Sequence, residues 1–115
     1  AFETVNIFAN AFNTVPQYLP LPVIFDHAKT RELVANDTHI KHIMKLGEQS
    51  SIAVFTVGTV RDSALLFKLG YFTKQEQLTL QHEAVGDVFS RFIDSKGQIV
   101  NEDINQRTIG IALPE

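Results

Sequence analysis

The sequence predicts an α/β domain, in which helices alternate with strands of an open sheet. The apolar, β-branched run from Ser51 to Gly58 ends on a glycine and is typical of a parallel strand buried on both faces. Apolar residues at helical spacing precede this run, and a capping-box spacing follows it. In open α/β sheets ligands bind beyond the carboxyl ends of the strands, so the loop that begins at Gly58 is the first candidate site.

The composition is that of one globular domain, with 115 residues, 44% hydrophobic and 20% charged. The net charge of −3 and the lack of a basic cluster argue against a nucleic-acid-binding surface. There is no cysteine for a disulfide or a thiolate site, and no apolar run reaches the length of a membrane span. We therefore expect a cytoplasmic protein without a membrane partner, and a first residue other than Met suggests a piece of a longer polypeptide.

The first half is predicted to hold three helices and an extended segment. Apolar residues at i, i+3, i+4 and i+7 predict a helix from Thr4 to Asn13. Three prolines between Val15 and Phe25 restrict that segment to an edge strand or an extended loop. Asp26 is expected to cap a short helix, and residues 36–38 to cap a second one whose apolar face begins at Ile40.

The second half is predicted to hold a helix, a hairpin and a last strand. The helix runs from Thr73 to Leu80 and begins with a capping box. Strands at Val88–Ile93 and Gln98–Val100 flank a turn in which Gly97 supplies the positive φ that such turns need. Residues Thr108–Leu113 are a short apolar run that predicts a final strand.

The loop after the Ser51–Gly58 run carries several groups that can bind a polar ligand. Arg61 or Lys68 could hold a phosphate, while Thr59, Ser63 and the backbone N–H groups next to Gly58 could supply neutral donors. Surface loops often carry such residues, so a plain connector remains the alternative.

Asp87 is the second candidate, because it lies between apolar residues and next to a glycine. A half-buried carboxylate needs a hydrogen-bonding partner. That partner could be a sugar hydroxyl, a backbone N–H group or Arg91, and the spacing leaves these alternatives open.

Other chemistries have no support in the sequence. His39 and His42 are spaced to share a ligand on a helix, but no carboxylate is placed to complete a metal site. No serine lies in a nucleophile elbow, and there is no phosphate-binding glycine motif. We assign no metal, no cofactor and no catalytic residue.

Five ordered stretches carry a family resemblance that covers nearly all of the chain. They are "YLPLPVIFD" (18–26), "SIAVFTVG" (51–58), "SALLFKLGYF" (63–72), "AVGDVFSRFIDSKGQIV" (84–100) and "INQRTIGIAL" (104–113). Together they resemble the effector domain, also called the sugar-binding domain, of the SorC family of bacterial transcriptional regulators.

The resemblance implies a Rossmann-like open sheet of the type found in ribose-phosphate isomerases, glucosamine-phosphate deaminases and CoA transferases. Residues 1–115 would form the middle of a single effector domain that is incomplete here, and DNA would be bound only by a separate helix-turn-helix domain. The acidic residue of the family's "GD" motif falls on Asp87, which implies that it faces the effector. Lys68 falls where relatives place a basic residue for a phosphate, and Gly58 and Ser63 match the strand-end glycine and the loop serine.

The resemblance therefore implies a sensor of a sugar or phosphosugar rather than an enzyme, and a homodimer or homotetramer. Two alternatives remain. One is a sugar-phosphate isomerase or deaminase with Asp87 as general base, which needs a second acid–base group. The other is an oligomerisation module that uses the proline-rich edge and the apolar helix faces.

Overall fold

The computed structural model describes residues 2–112, which form six helices and a small three-stranded sheet. The helices are α1 (Phe2–Ala11), α2 (Ala28–Ala35), α3 (Thr38–Glu48), α4 (Leu65–Lys68), α5 (Lys74–Glu83) and α6 (Glu102–Arg107). The strands are β1 (Val57–Gly58), β2 (Gly86–Val88) and β3 (Arg91–Ile93), and they form an antiparallel sheet in the order β1-β2-β3. The fold is thus a mixed α/β domain, as predicted, but its described sheet is antiparallel.

Helix α1 confirms the predicted N-terminal helix, with its start and end each two residues earlier. Of its residues only Ala9 is buried, and the side chains of Phe8 and Phe12, next to its carboxyl end, are exposed. The described residues therefore leave most of its apolar face uncovered.

The predicted caps are confirmed at two of three helices. Asp37 precedes α3, and its side chain accepts a hydrogen bond from the N–H of His39 at 3.1 Å. Thr73 and Glu76 form the predicted capping box of α5, with bonds of 2.9 and 3.1 Å. The predicted Asp26 cap is wrong, because α2 begins one residue too late and its N-cap is His27, which makes no side-chain capping bond.

The Ser51–Gly58 run differs most from its prediction. Only Val57 and Gly58 join the sheet, and they pair antiparallel with β2. Val54 and Phe55, neighbours that point to opposite faces of an extended chain, are 74% and 54% exposed, so neither face of the run is buried. A central strand needs a neighbour on each edge to pair its N–H and C=O groups. Residues 2–112 supply one such neighbour, and only to the last two residues of the run.

The predicted strand Val88–Ile93 is divided by a tight turn. Phe89 and Ser90 have φ angles of 50° and 63°, which reverse the chain between β2 and β3. Two central residues with positive φ are typical of a type I′ hairpin, in which glycine and asparagine are the usual residues. Because neither Phe89 nor Ser90 is such a residue, the sequence carries no signal for this turn.

The next predicted turn is confirmed. Gly97 has a φ of 79°, and its N–H donates to the carbonyl of Asp94 at 3.0 Å. Beyond it, Ile99 pairs with Ile93 as an isolated bridge. The antiparallel arrangement therefore continues past β3 for a single pair.

The proline-rich segment is extended, as predicted, and runs beside the chain after α6. Ile24 forms an isolated bridge with Thr108, and the N–H of Ile109 donates to the carbonyl of Val23 at 2.8 Å. The prediction of a strand from residue 108 to 113 is wrong for the described part, because this bridge is its only ladder pair there. Leu113 lies outside the described residues.

The core lies between the sheet and helices α4, α5 and α6. Its buried members are Ala64, Phe67, Leu80, Ala84, Phe92 and Ile104. The rings of Phe67 and Phe92 stack with centroids 6.0 Å apart, and Phe72 meets Phe92 edge-on at 5.6 Å. This packing fixes α4 against the sheet, and with it the loop after β1.

No helix in the described part of the chain is long and apolar enough to cross a membrane.

Candidate functional site

The loop after β1 and Asp87 border the same cleft, which has a volume of about 420 Å³. Its lining residues are Thr56, Val57, Gly58, Thr59, Ser63, Ala64, Leu65, Leu66, Asp87 and Ser90. Two regions singled out separately in the sequence, about 30 positions apart, are thus brought together by the pairing of β1 with β2.

Two glycines permit the close approach at this point. Gly58 pairs with Asp87, and an ideal Cβ on Gly58 would lie 1.8 Å from the Oδ1 atom of Asp87. A Cβ on Gly86 would lie 2.6 Å from the carbonyl oxygen of Gly58. Both distances are far below van der Waals contact, so any side chain at either glycine would force the strands or the carboxylate to move.

The Asp87 carboxylate is half-buried. Its Oδ2 atom accepts a hydrogen bond from the N–H of Ser90 at 3.2 Å, across the β2–β3 turn. Its Oδ1 atom accepts no hydrogen bond from the described residues. Burial raises the pKa of Asp87 above its ordinary value of 3.8, although the Ser90 N–H acts in the opposite direction.

Among the partners considered for Asp87, the backbone N–H is the one present. Arg91 pairs with Val88, one residue after Asp87 on β2, and alternate residues of a strand point to opposite faces. The Arg91 guanidinium therefore lies on the other side of the sheet. Asp87 holds the turn through one oxygen and leaves the other available to the cleft.

Hydroxyl groups supply most of the other polar atoms of the cleft. Thr56, Thr59, Ser63 and Ser90 line it, together with apolar side chains from the start of α4. Each hydroxyl can donate and accept a hydrogen bond, as the hydroxyls of a sugar do. One carboxylate among hydroxyls and aliphatic side chains is suited to a neutral, hydroxylated ligand.

The two basic candidates lie outside the lining. Arg61 is exposed in the loop, and its N–H donates to the Oγ1 atom of Thr59 at 3.2 Å. Lys68 is exposed at the end of α4. The structure thus brings together Gly58, Thr59, Ser63 and Asp87, but neither basic side chain.

Two polar lining residues, Thr56 and Ser90, were not among the sequence candidates. Ser90 lies three positions after Asp87, one position beyond the usual spacing of an aspartate that bonds to its own backbone, so the sequence gives no regular signal for this contact. Thr56 is a polar residue in an otherwise apolar run, and that interruption is the signal for its role. Within residues 2–112 no group of three potential metal ligands converges, and His39 and His42 are exposed on α3.

A cleft lined by a loop, aliphatic side chains and one half-buried carboxylate is typical of small-molecule-binding domains. A family model described as "Putative sugar-binding domain" matches residues 1–115. The chain therefore belongs to this family of sugar-binding domains.

Named relatives agree with this membership. The chain is 55% identical over 113 residues to the deoxyribonucleoside regulator of Bacillus subtilis, covering 98% of this chain and 36% of that protein. It is 26% identical over 94 residues to the sorbitol operon regulator of Klebsiella pneumoniae, covering 80% of this chain and 30% of that protein. The chain thus spans about a third of the length of these relatives.

A solved structure supports the fold. It is a domain of a "possible sugar-binding transcriptional regulator" from Arthrobacter aurescens, with a TM-score of 0.81 and 28% identity. The similarity covers 97% of this chain and 44% of that one. The resemblance to the SorC family is confirmed.

Proposed function

We propose that this domain binds a sugar or phosphosugar effector and thereby modulates DNA binding by a separate helix-turn-helix domain of the same protein. The proposal rests on the environment of the Asp87 carboxylate. It is half-buried, borders the cleft and keeps Oδ1 without a hydrogen bond from the described residues.

A desolvated carboxylate gains more from a hydroxyl donor than an exposed one does. Water no longer satisfies its acceptor sites fully, and a hydrogen bond to a charged acceptor contributes about 1.5–3 kcal/mol. The raised pKa of Asp87 expresses the same desolvation. A ligand with two neighbouring hydroxyls could donate hydrogen bonds to Asp87 in place of the water molecules that burial excludes.

The lining also indicates which end of the ligand enters the cleft. It holds hydroxyls and aliphatic groups such as Val57 and Leu66, and the described lining has no cationic side chain. The hydroxylated carbon chain therefore enters, and a phosphate would extend towards Arg61 and Lys68 outside the cleft. The regulator with 55% identity is named for deoxyribonucleosides, so deoxyribose and its phosphate esters are the first ligands to test.

We further propose that residues 1–115 are part of one larger, Rossmann-like effector domain. The exposed apolar residues Ile52, Val54 and Phe55 are suited to a strand with neighbours on both edges. The Arthrobacter domain is more than twice as long as the region it shares with this chain, which leaves room for such neighbours. We also propose that the protein is cytoplasmic and that it forms a homodimer or a homotetramer.

The enzyme alternative has less support. General acid–base catalysis on a sugar phosphate needs a second ionisable group beside Asp87. Among the described lining residues of the cleft, Asp87 is the one ionisable side chain. The named relatives are regulators, which also favours sensing over turnover.

The test uses the full-length protein with deoxyribose, deoxyribose 5-phosphate and ribose 5-phosphate. An effector at about a hundred times its dissociation constant should stabilise the protein by about 2.7 kcal/mol and change its affinity for operator DNA. Asp87→Asn should abolish both effects and leave DNA binding without ligand unchanged. The matched control is Asp26→Asn, an exposed carboxylate outside the cleft. An Asp87→Asn protein that responds like the wild type would contradict the proposal.

A further inference from the structure

Arg91 is a buried cation that the proposed effector site does not use. It is 8% exposed and lies on β3, on the sheet face opposite Asp87. Its NH1 group donates to the carbonyl and the Oδ1 atom of Asn105, both at 3.1 Å, and to the carbonyl of Thr108 at 3.2 Å. Its NH2 group has one long bond, 3.4 Å, to the carbonyl of Gly110. These oxygens are neutral, so the guanidinium charge has no counterion in this set.

Arg107, another buried arginine of this domain, is paired with carboxylates. It is 6% exposed, and its guanidinium forms ion pairs with Glu76 at 2.5 Å and with Asp103 at 3.3 Å. Among residues 2–112, no carboxylate lies within 4.0 Å of Arg91 in this way. A buried charge without a counterion is costly, and carbonyl dipoles offset only part of that cost.

A second guanidinium adds to the positive charge. Arg31 on α2 donates from Nε to the carbonyl of Gln106 at 2.9 Å, and its terminal amino groups make no hydrogen bond with the described residues. Burial lowers the pKa of Arg91, and the nearby charge of Arg31 lowers it further, while Glu102 acts in the opposite direction. Because the two guanidinium groups bind the carbonyls of adjacent residues, Asn105 and Gln106, two like charges are held near each other.

Both arginines line one small cleft of about 150 Å³. The other lining residues are Ile99, Asn105, Gln106, Thr108 and Ala112. No carboxylate is in this set. The volume suits a single tetrahedral oxyanion and is too small for a nucleotide or an intact sugar phosphate.

We propose that Arg31 and Arg91 bind a phosphate dianion in this cleft, as free phosphate or as the phosphoryl end of a small phosphomonoester. Guanidinium groups present paired N–H donors that match the oxygens of phosphate, and two of them balance its double charge. The site is separate from the Asp87 cleft because Asp87 and Arg91 lie on opposite faces of the sheet. It therefore goes beyond the proposed sugar site and does not depend on it.

The test is a titration of the full-length protein with inorganic phosphate at constant ionic strength, with chloride as the compensating anion. We expect phosphate to raise the melting temperature and chloride not to. Arg31→Gln should weaken phosphate binding, measured by calorimetry, by about tenfold or more. Arg31 is the better variant because Arg91 also holds the carbonyl groups after α6 and its loss could unfold the domain. Lys29→Gln, an exposed cation on the same helix, is the matched control and should leave the affinity unchanged.

Two further arms separate this site from the sugar site and identify the source of the phosphate. Asp87→Asn and Lys68→Gln should both retain the phosphate response. Equal affinity for β-glycerophosphate would indicate a phosphomonoester ligand, and binding of inorganic phosphate alone would indicate the free ion. The proposal is overturned if chloride stabilises equally, if Arg31→Gln and Lys29→Gln respond alike, or if Lys68→Gln alone removes the response.

Discussion

The carboxylate of Asp87 occupies the space that a side chain at position 58 would need. The three nearest atoms to an ideal Cβ on Gly58 all belong to the Asp87 side chain, and the closest lies at 1.8 Å. The glycine that ends the Ser51–Gly58 run and the aspartate of β2 therefore form one structural unit. The conformation of the carboxylate depends on the absence of a side chain across the strand pair.

We expect Gly58→Ala to displace the Asp87 carboxylate and to lower the free energy of unfolding. Overpacking of this kind typically costs about 1–3 kcal/mol. Urea unfolding of the full-length protein, followed through this domain's transition, measures the cost. The same variant should lose the effector response, because the carboxylate can no longer keep its position in the cleft.

A double-mutant cycle tests whether the clash is the cause. In an Asp87→Ala background the carboxylate is gone, so Gly58→Ala should cost clearly less than it does in the wild type. Equal costs in the two backgrounds would mean that backbone effects at position 58, rather than contact with Asp87, explain the loss.

We expect the pH dependence of stability to change in Asp87→Asn. Burial raises the pKa of Asp87 in the folded state above 3.8, so the folded protein binds more protons than the unfolded one between 3.8 and the higher folded pKa. Stability contributed by this group is thus present below that window and is lost as the pH rises through it. Asparagine does not titrate, so the variant should gain stability relative to the wild type from about pH 3.5 to pH 7. A constant difference across that range would contradict the raised pKa.

Local signals in the sequence predicted much of this structure. The caps at Asp37 and Thr73 and the turn at Gly97 depend on neighbours within a few positions, and the structure confirms all three. The cleft was predicted in two halves, the loop after Gly58 and the Asp87 carboxylate. Strand pairing joins residues distant in sequence, so residue patterns alone could not join these halves, and only the family resemblance implied that both face one effector.

The wrong predictions depended on non-local or unusual features. The Ser51–Gly58 run has the composition of a central strand, but composition does not supply the neighbouring strands that its backbone needs. The division of Val88–Ile93 depends on Phe89 and Ser90 adopting a positive φ, which their side chains disfavour. Asp87 stabilises that turn through the N–H of Ser90, a contact visible only once the turn is known.

We expect Glu76→Gln to destabilise the domain by about 1.5–3 kcal/mol, because it removes the charge that pairs with the buried Arg107. Glu76 also completes the capping box of α5, a bond that glutamine can retain. Burial favours the neutral form of Glu76, but the N–H of Thr73 and the Arg107 guanidinium outweigh it and lower its pKa below 4.5. The contribution is therefore present above pH 4.5 and is lost as the pH falls through the lowered pKa.

The control for this ion pair is the exposed pair between Lys29 and Glu32 on α2. Glu32→Gln should change the unfolding free energy by less than about 0.5 kcal/mol, since exposed pairs contribute little. Chemical unfolding at neutral pH compares the two variants. Equal effects would show that Arg107 does not need Glu76 as its counterion.

We expect Leu80→Ala to be the most destabilising of these substitutions, and Leu78 on the same helix provides the matched control. Leu80 is 0% exposed and belongs to the core that holds α4 against the sheet, whereas Leu78 is 51% exposed. Removing a buried leucine side chain costs about 2–5 kcal/mol, because apolar burial is lost and a cavity remains. Both substitutions change helix propensity by the same amount, so the difference between them measures the effect of burial. Leu78→Ala should cost less than about 1 kcal/mol. Since the core positions the loop after β1, Leu80→Ala should also weaken effector binding at temperatures where the domain is still folded, which calorimetry on the full-length protein can measure. Similar losses of stability for the two leucines would contradict the burial seen here.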